Sequence, residues 1–177
     1  MTKDDEIMRL KERICKLEED NKALKKKLDS ARGVPAEDFI AELTHGQRSR
    51  YKDGHDITTE GGHRLEVKSS SLHSPSSSKT LRWTWDNLLG LHQTKQYDFL
   101  VLVGEKDPRY EEQYPELPYV CFLVPKRDVD TINSDGDCVA LNTNLATAKA
   151  AKSNVLKRYL VHSREHFLEL IADAAAS

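Results

Sequence analysis

The chain has 177 residues, of which 38% are hydrophobic and 32% charged, and its 27 basic and 29 acidic side chains leave a formal net charge of −2. This composition suits a soluble protein with room for one ordinary domain, and no apolar run approaches the roughly 20 residues a bilayer-spanning helix needs. The charged N-terminus leaves no apolar stretch for a signal peptide, and Cys15, Cys121 and Cys138 have no ligand-like spacing. Export, a disulfide framework and a cysteine zinc site are therefore not expected, and a cytoplasmic location is.

The first element reads as a coiled coil. Counted in heptads, Ile7, Ile14, Asn21 and Leu28 fall at a, and Leu10, Leu17 and Leu24 at d. Isoleucine at a with leucine at d favours two parallel strands, and one central asparagine fixes register. The flanking pairs Glu6 with Lys11, Arg13 with Glu18 and Asp20 with Lys25 all attract across a parallel, in-register pair. An amphipathic helix lying on its own domain would need neither feature. A zipper that reads DNA would carry a basic extension before Ile7, and none is there. Residues 1–31 are thus expected to be a parallel dimeric coiled coil, closed by Gly33 and Pro35, with residues 32–177 forming one domain.

Residues 36–45 predict a short helix with Phe39, Ile40 and Leu43 inward, followed by a polar, basic loop over 45–55. DITTEGGHRLEVKSS reads as two strands around a Glu60-Gly61-Gly62 turn, since glycine takes the positive φ of a tight reversal. The serine-rich stretch 70–80 predicts a loop, and the spacing of Trp85, Leu88, Leu89 and His92 a helix packed on a sheet. Residues 97–104 and 118–126 are near-continuous apolar runs, expected as central strands buried on both faces, with a charged excursion between them. Segments 145–160 and 163–175 predict helices, the second starting at Ser163. The fold class expected is α/β (α+β), a mixed central sheet flanked by helices and preceded by the long coiled-coil helix.

Chemistry concentrates on the hairpin. Residue numbers of opposed positions have a constant sum in an antiparallel pair, so a turn centred on Gly61 sets Asp56 across from Glu66. Alternation puts Glu66 and Lys68 on that same face, while Ile57, Leu65 and Val67 point to the other. Two close carboxylates repel unless a counter-charge intervenes. A hard divalent cation, Mg2+ or Mn2+, held by Asp56 and Glu66 with the Val67 carbonyl as an optional further ligand, is the natural compensation. Lys68 could orient or deprotonate an attacking water, or neutralise a pentavalent phosphorus. These roles stay open in the sequence.

Asp56, followed after a gap by Glu66-Val67-Lys68, resembles the PD-(D/E)xK nuclease superfamily, over roughly residues 36–126. The resemblance implies a restriction-endonuclease-like fold, magnesium-dependent hydrolysis of DNA phosphodiesters, metal ligation by Asp56 and Glu66, and a catalytic Lys68. Many members also use an acidic residue on the preceding helix, which Glu42 matches here; His55 stands where the family name has proline. Bacterial members include restriction enzymes, repair nucleases and junction resolvases.

Arg48, Arg50 and Lys52 alternate just before the hairpin and are candidate phosphate contacts, as are Lys79 and Arg82 after the serine loop and Gln93 and Lys95 further on. Incidental surface charge is the alternative for each, and Trp83 beside Arg82 is equally at home in a core. His55, His63, His73 and His92 match no ligand spacing, and HGQRSRYKDG lacks the glycine pattern of a phosphate loop. The function expected is restriction-type double-strand cleavage by a homodimer acting on duplex DNA, with no membrane partner. The alternatives are a structure-specific or repair nuclease and a catalytically inactive DNA-binding or scaffolding dimer.

Overall fold

The computed structural model of the chain describes residues 8, 9, 11, 13, 14, 16, 17, 35–50, 53–74, 80–90, 95–133, 137–148 and 151–175. The chain divides into two compact units, Met1–Pro35 and Ala36–Ser177. In the first, the described residues from Met8 to Leu17 are helical, and Ile14 and Leu17 are both more than half exposed. Ile7, Leu10, Asn21, Leu24 and Leu28, the rest of the expected zipper seam, lie outside the described residues, as do Lys52, Lys79 and Gln93.

The second unit is a mixed sheet between two unlike layers. Helix α1 covers residues 35–44, and Pro35 opens it where a missing N–H costs nothing. Five strands follow in the main sheet: β1 (Gln47–Arg48), β2 (Ile57–Thr58), β3 (Arg64–Ser70), β5 (Phe99–Gly104) and β6 (Val120–Pro125), hydrogen-bonded in the order β1-β2-β3-β5-β6. Only β3 and β5 are parallel; the other pairs are antiparallel. Strands β4 (Arg82–Asp86) and β7 (Cys138–Asn142) form a separate antiparallel pair. Short helices α2 (Val129–Ile132) and α3 (Ala151–Lys157) and the longer α4 (Arg164–Ala175) complete the unit.

Strand alternation divides the apolar residues into two cores. Phe99, Val101, Val103, Cys121 and Leu123 face one way, and with Ile57, Leu65 and Val67 they pack against Ile40 and Leu43 of α1 and Phe167 and Ile171 of α4. Leu100, Leu102, Phe122 and Val124 face the other way and meet Trp83 and Trp85 of β4, Val139 and Leu141 of β7, Val129 and Ile132 of α2, and Leu156 of α3. Both indoles find acceptors on the central strand region, Trp83 Nε1 donating to Glu105 O at 2.8 Å and Trp85 Nε1 to Val103 O at 3.0 Å. Gly104 makes room for this crossing, since a Cβ there would stand 2.7 Å from Trp83 Nε1.

Several expectations hold. The glycine turn forms with Gly62 at φ +83, Thr59 and His63 closing it. Ile40 and Leu43 of α1 are buried and Phe39 packs on Tyr119; Cys121 is a buried small hydrophobe whose thiol is pushed up to about 12 by that burial. Ser163 caps α4, its Oγ accepting from His166 N at 3.2 Å.

Others need correction. The expected helix around Trp85 is strand β4, because Arg82-Trp83-Thr84-Trp85-Asp86 alternates with period two and both tryptophans go inward. Asn87 at φ +58 and Gly90 at φ +78 then take conformations no helix contains. The basic loop carries β1, and the unassigned segment near Cys138 supplies β7. The helix expected over 145–160 is reduced to α3, preceded by a turn at 145–147. Strand β6 ends the sheet and is not central, yet it is buried as a central strand would be. The chain at 159–161 covers its edge, with Leu123 N donating to Tyr159 O and Val161 N to Cys121 O, both at 2.9 Å.

Candidate active site

The hairpin register places the chemistry. Ile57 pairs with Leu65 and Thr58 with Arg64, and Asp56, one residue before this paired stretch, shares a cleft with Glu66. The Asp56 backbone belongs to the ladder on both sides, its N–H donating to Leu65 O at 2.9 Å and its carbonyl accepting from Ser49 N at 2.8 Å. Its side chain is fixed as well: Oδ2 accepts from Val67 N at 2.8 Å. Strand β3 is anchored at its start by Asp98, which takes Arg64 N at 2.8 Å and Arg64 Nη2 at 2.7 Å.

Glu66 and Lys68 lie on the face of β3 that continues the tryptophan layer, beside Leu100 and Leu102 of β5. That position explains why Glu66 is only 2% exposed. A buried carboxylate requires compensation, and two ammonium groups provide it. Lys68 Nζ stands 2.7 Å from Glu66 Oε1, and Lys95 Nζ contacts the same oxygen. The four charges of Asp56, Glu66, Lys68 and Lys95 thus sum to zero before any ligand arrives.

Burial raises the Asp56 carboxyl to about 6, with the negative charge of Glu66 adding to it; the Val67 N–H and Lys68 oppose the rise, and Glu37 adds a smaller push upward. Burial works against the Lys68 ammonium, but the charge and hydrogen bond of Glu66 outweigh it and hold the group above the ordinary lysine value. Lys95 moves the other way, lowered by burial and by its neighbour Lys68 despite its bond to Glu66.

Asp56, Glu66 and Lys95 line a cleft of about 630 Å3 together with Glu37, Arg48 and Arg50. Among the described residues, no three His, Cys, Asp or Glu side chains converge closely enough to hold a metal ion. The donor chemistry still fits a hard cation in one respect. Asp56 Oδ1 and Glu66 Oε2 have no hydrogen-bond donor among the described residues, and the nearby Glu66 charge raises the cost of ionising Asp56.

The remaining expected residues divide. Glu42 is an exposed residue of α1 and does not line the cleft, whereas Glu37, one turn nearer the start of the helix, does. Arg48 is held by Glu37 and by Asp38, the latter at 3.1 Å, so it is not a free phosphate contact. Arg50 is exposed at the cleft, its backbone N–H donating to Asp53 Oδ2 at 2.8 Å. Arg82 lies in β4 with its Nε buried and without an acceptor among the described residues, while its neighbour Trp83 is fully buried core. The Val67 N–H is the anchor of Asp56. Of the histidines, His55 borders the cleft, bonded to Asp53 O at 2.9 Å and Thr58 Oγ1 at 3.0 Å.

No protein-family model matches the chain, and no curated protein matches it either. Among the described residues no helix is long and apolar enough to cross a membrane.

The place of Glu37 in the cleft and the contact of Lys95 with Glu66 are not legible in the sequence. Glu37 and Glu42 are both acids of one short helix, and only the docking of α1 on the sheet decides which approaches Asp56. Lys95 was a candidate for phosphate, but its contact with Glu66 depends on how the segment after β4 folds back, and the one local sign of that fold is Gly90.

Proposed function

We propose that the chain is a Mg2+-dependent endodeoxyribonuclease of the restriction-endonuclease-like fold, cutting both strands of duplex DNA as a homodimer. The observation that carries this reading is the presence of Asp56 and Glu66 at one cleft, with Lys68 on Glu66. The elements around it, a mixed sheet flanked by helices and holding a parallel β3–β5 pair, are of the kind that fold has. Asp56 and Glu66 would hold the cation through the oxygens that no protein donor occupies, and Mn2+ could replace Mg2+. Such a cation supplies positive charge against the phosphate oxygens and acidifies an attacking water.

The chain's own groups do the rest. The Val67 N–H keeps Asp56 from turning away, and Lys68, kept protonated by Glu66, offers an ammonium to the charge that grows on phosphorus. A Lys68 held above the ordinary lysine value suits that role better than proton abstraction. Arg50 offers the cleft a cation for the DNA backbone, and Glu37 takes over from Glu42 as the acid contributed by the preceding helix. A non-catalytic DNA-binding dimer is the competing reading, favoured by the neutrality that Lys68 and Lys95 already give Glu66.

Lys68→Ala is expected to lower Mg2+-dependent cleavage of a short duplex by about 10² to 10³ fold while leaving duplex binding in Ca2+ nearly intact. Running the same pair of proteins on single strands, branched junctions and RNA assigns the substrate class. Undiminished cleavage by the variant would remove Lys68 from the mechanism.

The dimer is proposed from the a and d residues, two of which, Ile14 and Leu17, are exposed on helical backbone. Leu17→Pro breaks that helix. Sedimentation should then find a monomer, and linearised plasmid should give way to nicked circles; a monomer that still linearises plasmid in single encounters would uncouple the zipper from double-strand cutting.

A further inference from the structure

Glu66 Oε1 receives two ammonium groups, and the strand itself delivers only one of them. Lys68 reaches the oxygen because it lies two residues along β3 on the same face. Lys95 comes from outside the sheet along a prepared path. Its N–H donates to Leu89 O at 3.3 Å, and Leu89 N is in turn held by the Asp137 carboxylate at 2.9 and 3.2 Å. The next N–H, of Gln96, donates to Gly54 O at 2.9 Å. The Lys95 stem passes over Gly90, where an added Cβ would stand 2.7 Å from Lys95 Cγ and 3.3 Å from Cδ and Cε. Gly90 has φ +78, so both its backbone and its missing side chain serve this route.

We propose that Lys95 is the resident counter-cation of Glu66, neutralising the carboxylate in the metal-free chain, yielding it to a divalent ion, and then presenting its ammonium to the substrate phosphate. The inference rests on the nuclease reading. Charge balance argues for it. Asp56, Glu66, Lys68 and Lys95 sum to zero, a stable arrangement for a site this buried, but one that leaves only the rim cations such as Arg50 to attract DNA. Adding a divalent ion brings the sum to +2, which matches the doubly negative pentavalent phosphorus. Three cations cannot share one carboxylate closely, and Lys95 is the group able to leave. Lys68 is tied to the strand that carries Glu66, whereas Lys95 has its four-carbon stem anchored at Gly90 and its head at the cleft. After release its charge still faces the place where the phosphate is expected.

The test uses the full chain, first without DNA and then with a short duplex present. Mg2+ is titrated by calorimetry into the wild type, Lys95→Met and Lys95→Gln, and the lysine Nζ resonances of a 15N-lysine-labelled wild type are followed in parallel. If Lys95 covers Glu66 most of the time, removing its charge should tighten Mg2+ binding by about tenfold in both variants, because the ligand no longer competes with an occupied state. The Lys95 resonance, assigned by its loss in Lys95→Met, should shift to saturation over the same Mg2+ range. Wild-type binding that neither variant tightens, or a Lys95 resonance unmoved at saturating Mg2+, overturns this role and leaves the nuclease reading standing. Absence of Mg2+ binding by all three proteins, with and without DNA, overturns both.

Discussion

Glu66→Gln is expected to abolish detectable DNA cleavage and, in the same protein, to destabilise the fold by about 3–5 kcal/mol. The two effects share a cause. Glu66 is 2% exposed and compensates two ammonium groups, Lys68 and Lys95, that are themselves only 19% exposed. Glutamine keeps the shape but leaves those cations without the carboxylate they both contact, with only the more distant Asp56 to offset them, and a buried charge stripped of its partner costs far more than the pair contributed. Urea unfolding in metal-free buffer checks the stability half. A glutamine variant as stable as the wild type would mean that the ammonium groups are held by solvent, and the cleft would not be the closed electrostatic unit described.

Asp56→Asn is expected to be as damaging to cleavage, lowering it by about 10² to 10³ fold, yet to act on stability in the opposite direction. Asparagine retains an oxygen for the Val67 N–H and removes a charge that burial and Glu66 both oppose. The sign follows from linkage. The Asp56 carboxyl has an ordinary value of 3.8 and is raised in the folded protein to about 6. Below the lower value it is protonated in both states and contributes nothing to pH dependence. Between the two values the folded chain keeps a proton that the unfolded chain has released, so stability falls as pH rises, and above about 6 the full loss is present. The asparagine variant should therefore be more stable than the wild type at pH 8 by up to about 3 kcal/mol, and the gain should vanish by pH 4. Denaturation in chelator at the two pH values measures this. An advantage of equal size at both would show that the carboxylate charge is not its source.

Much of the site was legible because a hairpin is a local object. The glycine turn and the two-residue period of a strand suffice to bring Asp56 and Glu66 to one cleft and to send Ile57, Leu65 and Val67 to the other face; the pairing of Ile57 with Leu65 follows that register, while Asp56 lies just outside it and bonds to Leu65 O. What failed is what depends on distant partners. Trp85, Leu88 and Leu89 have helix-like spacing, but Trp83 and Trp85 are drawn onto the sheet by indole bonds to Glu105 and Val103, a pairing that needs β7 from more than fifty residues away. Near-continuous apolar character identified β6 as buried without revealing that a later segment of chain does the covering. Glu37 and Glu42 differ by little more than a turn of helix, and Lys95 reaches Glu66 only because Gly90 leaves its stem a path. In each case the deciding contact is tertiary, and local pattern carries no record of it.

The central proposal is that this cleft hydrolyses DNA. Supercoiled plasmid incubated with the purified chain in Mg2+, in EDTA, and in Mg2+ with Asp56→Asn is the direct measurement. The wild type should convert the plasmid to nicked and linear forms in Mg2+ only, and the variant should leave it supercoiled; conversion by the variant at the wild-type rate, or no conversion by the wild type on any DNA in Mg2+ or Mn2+, would contradict it.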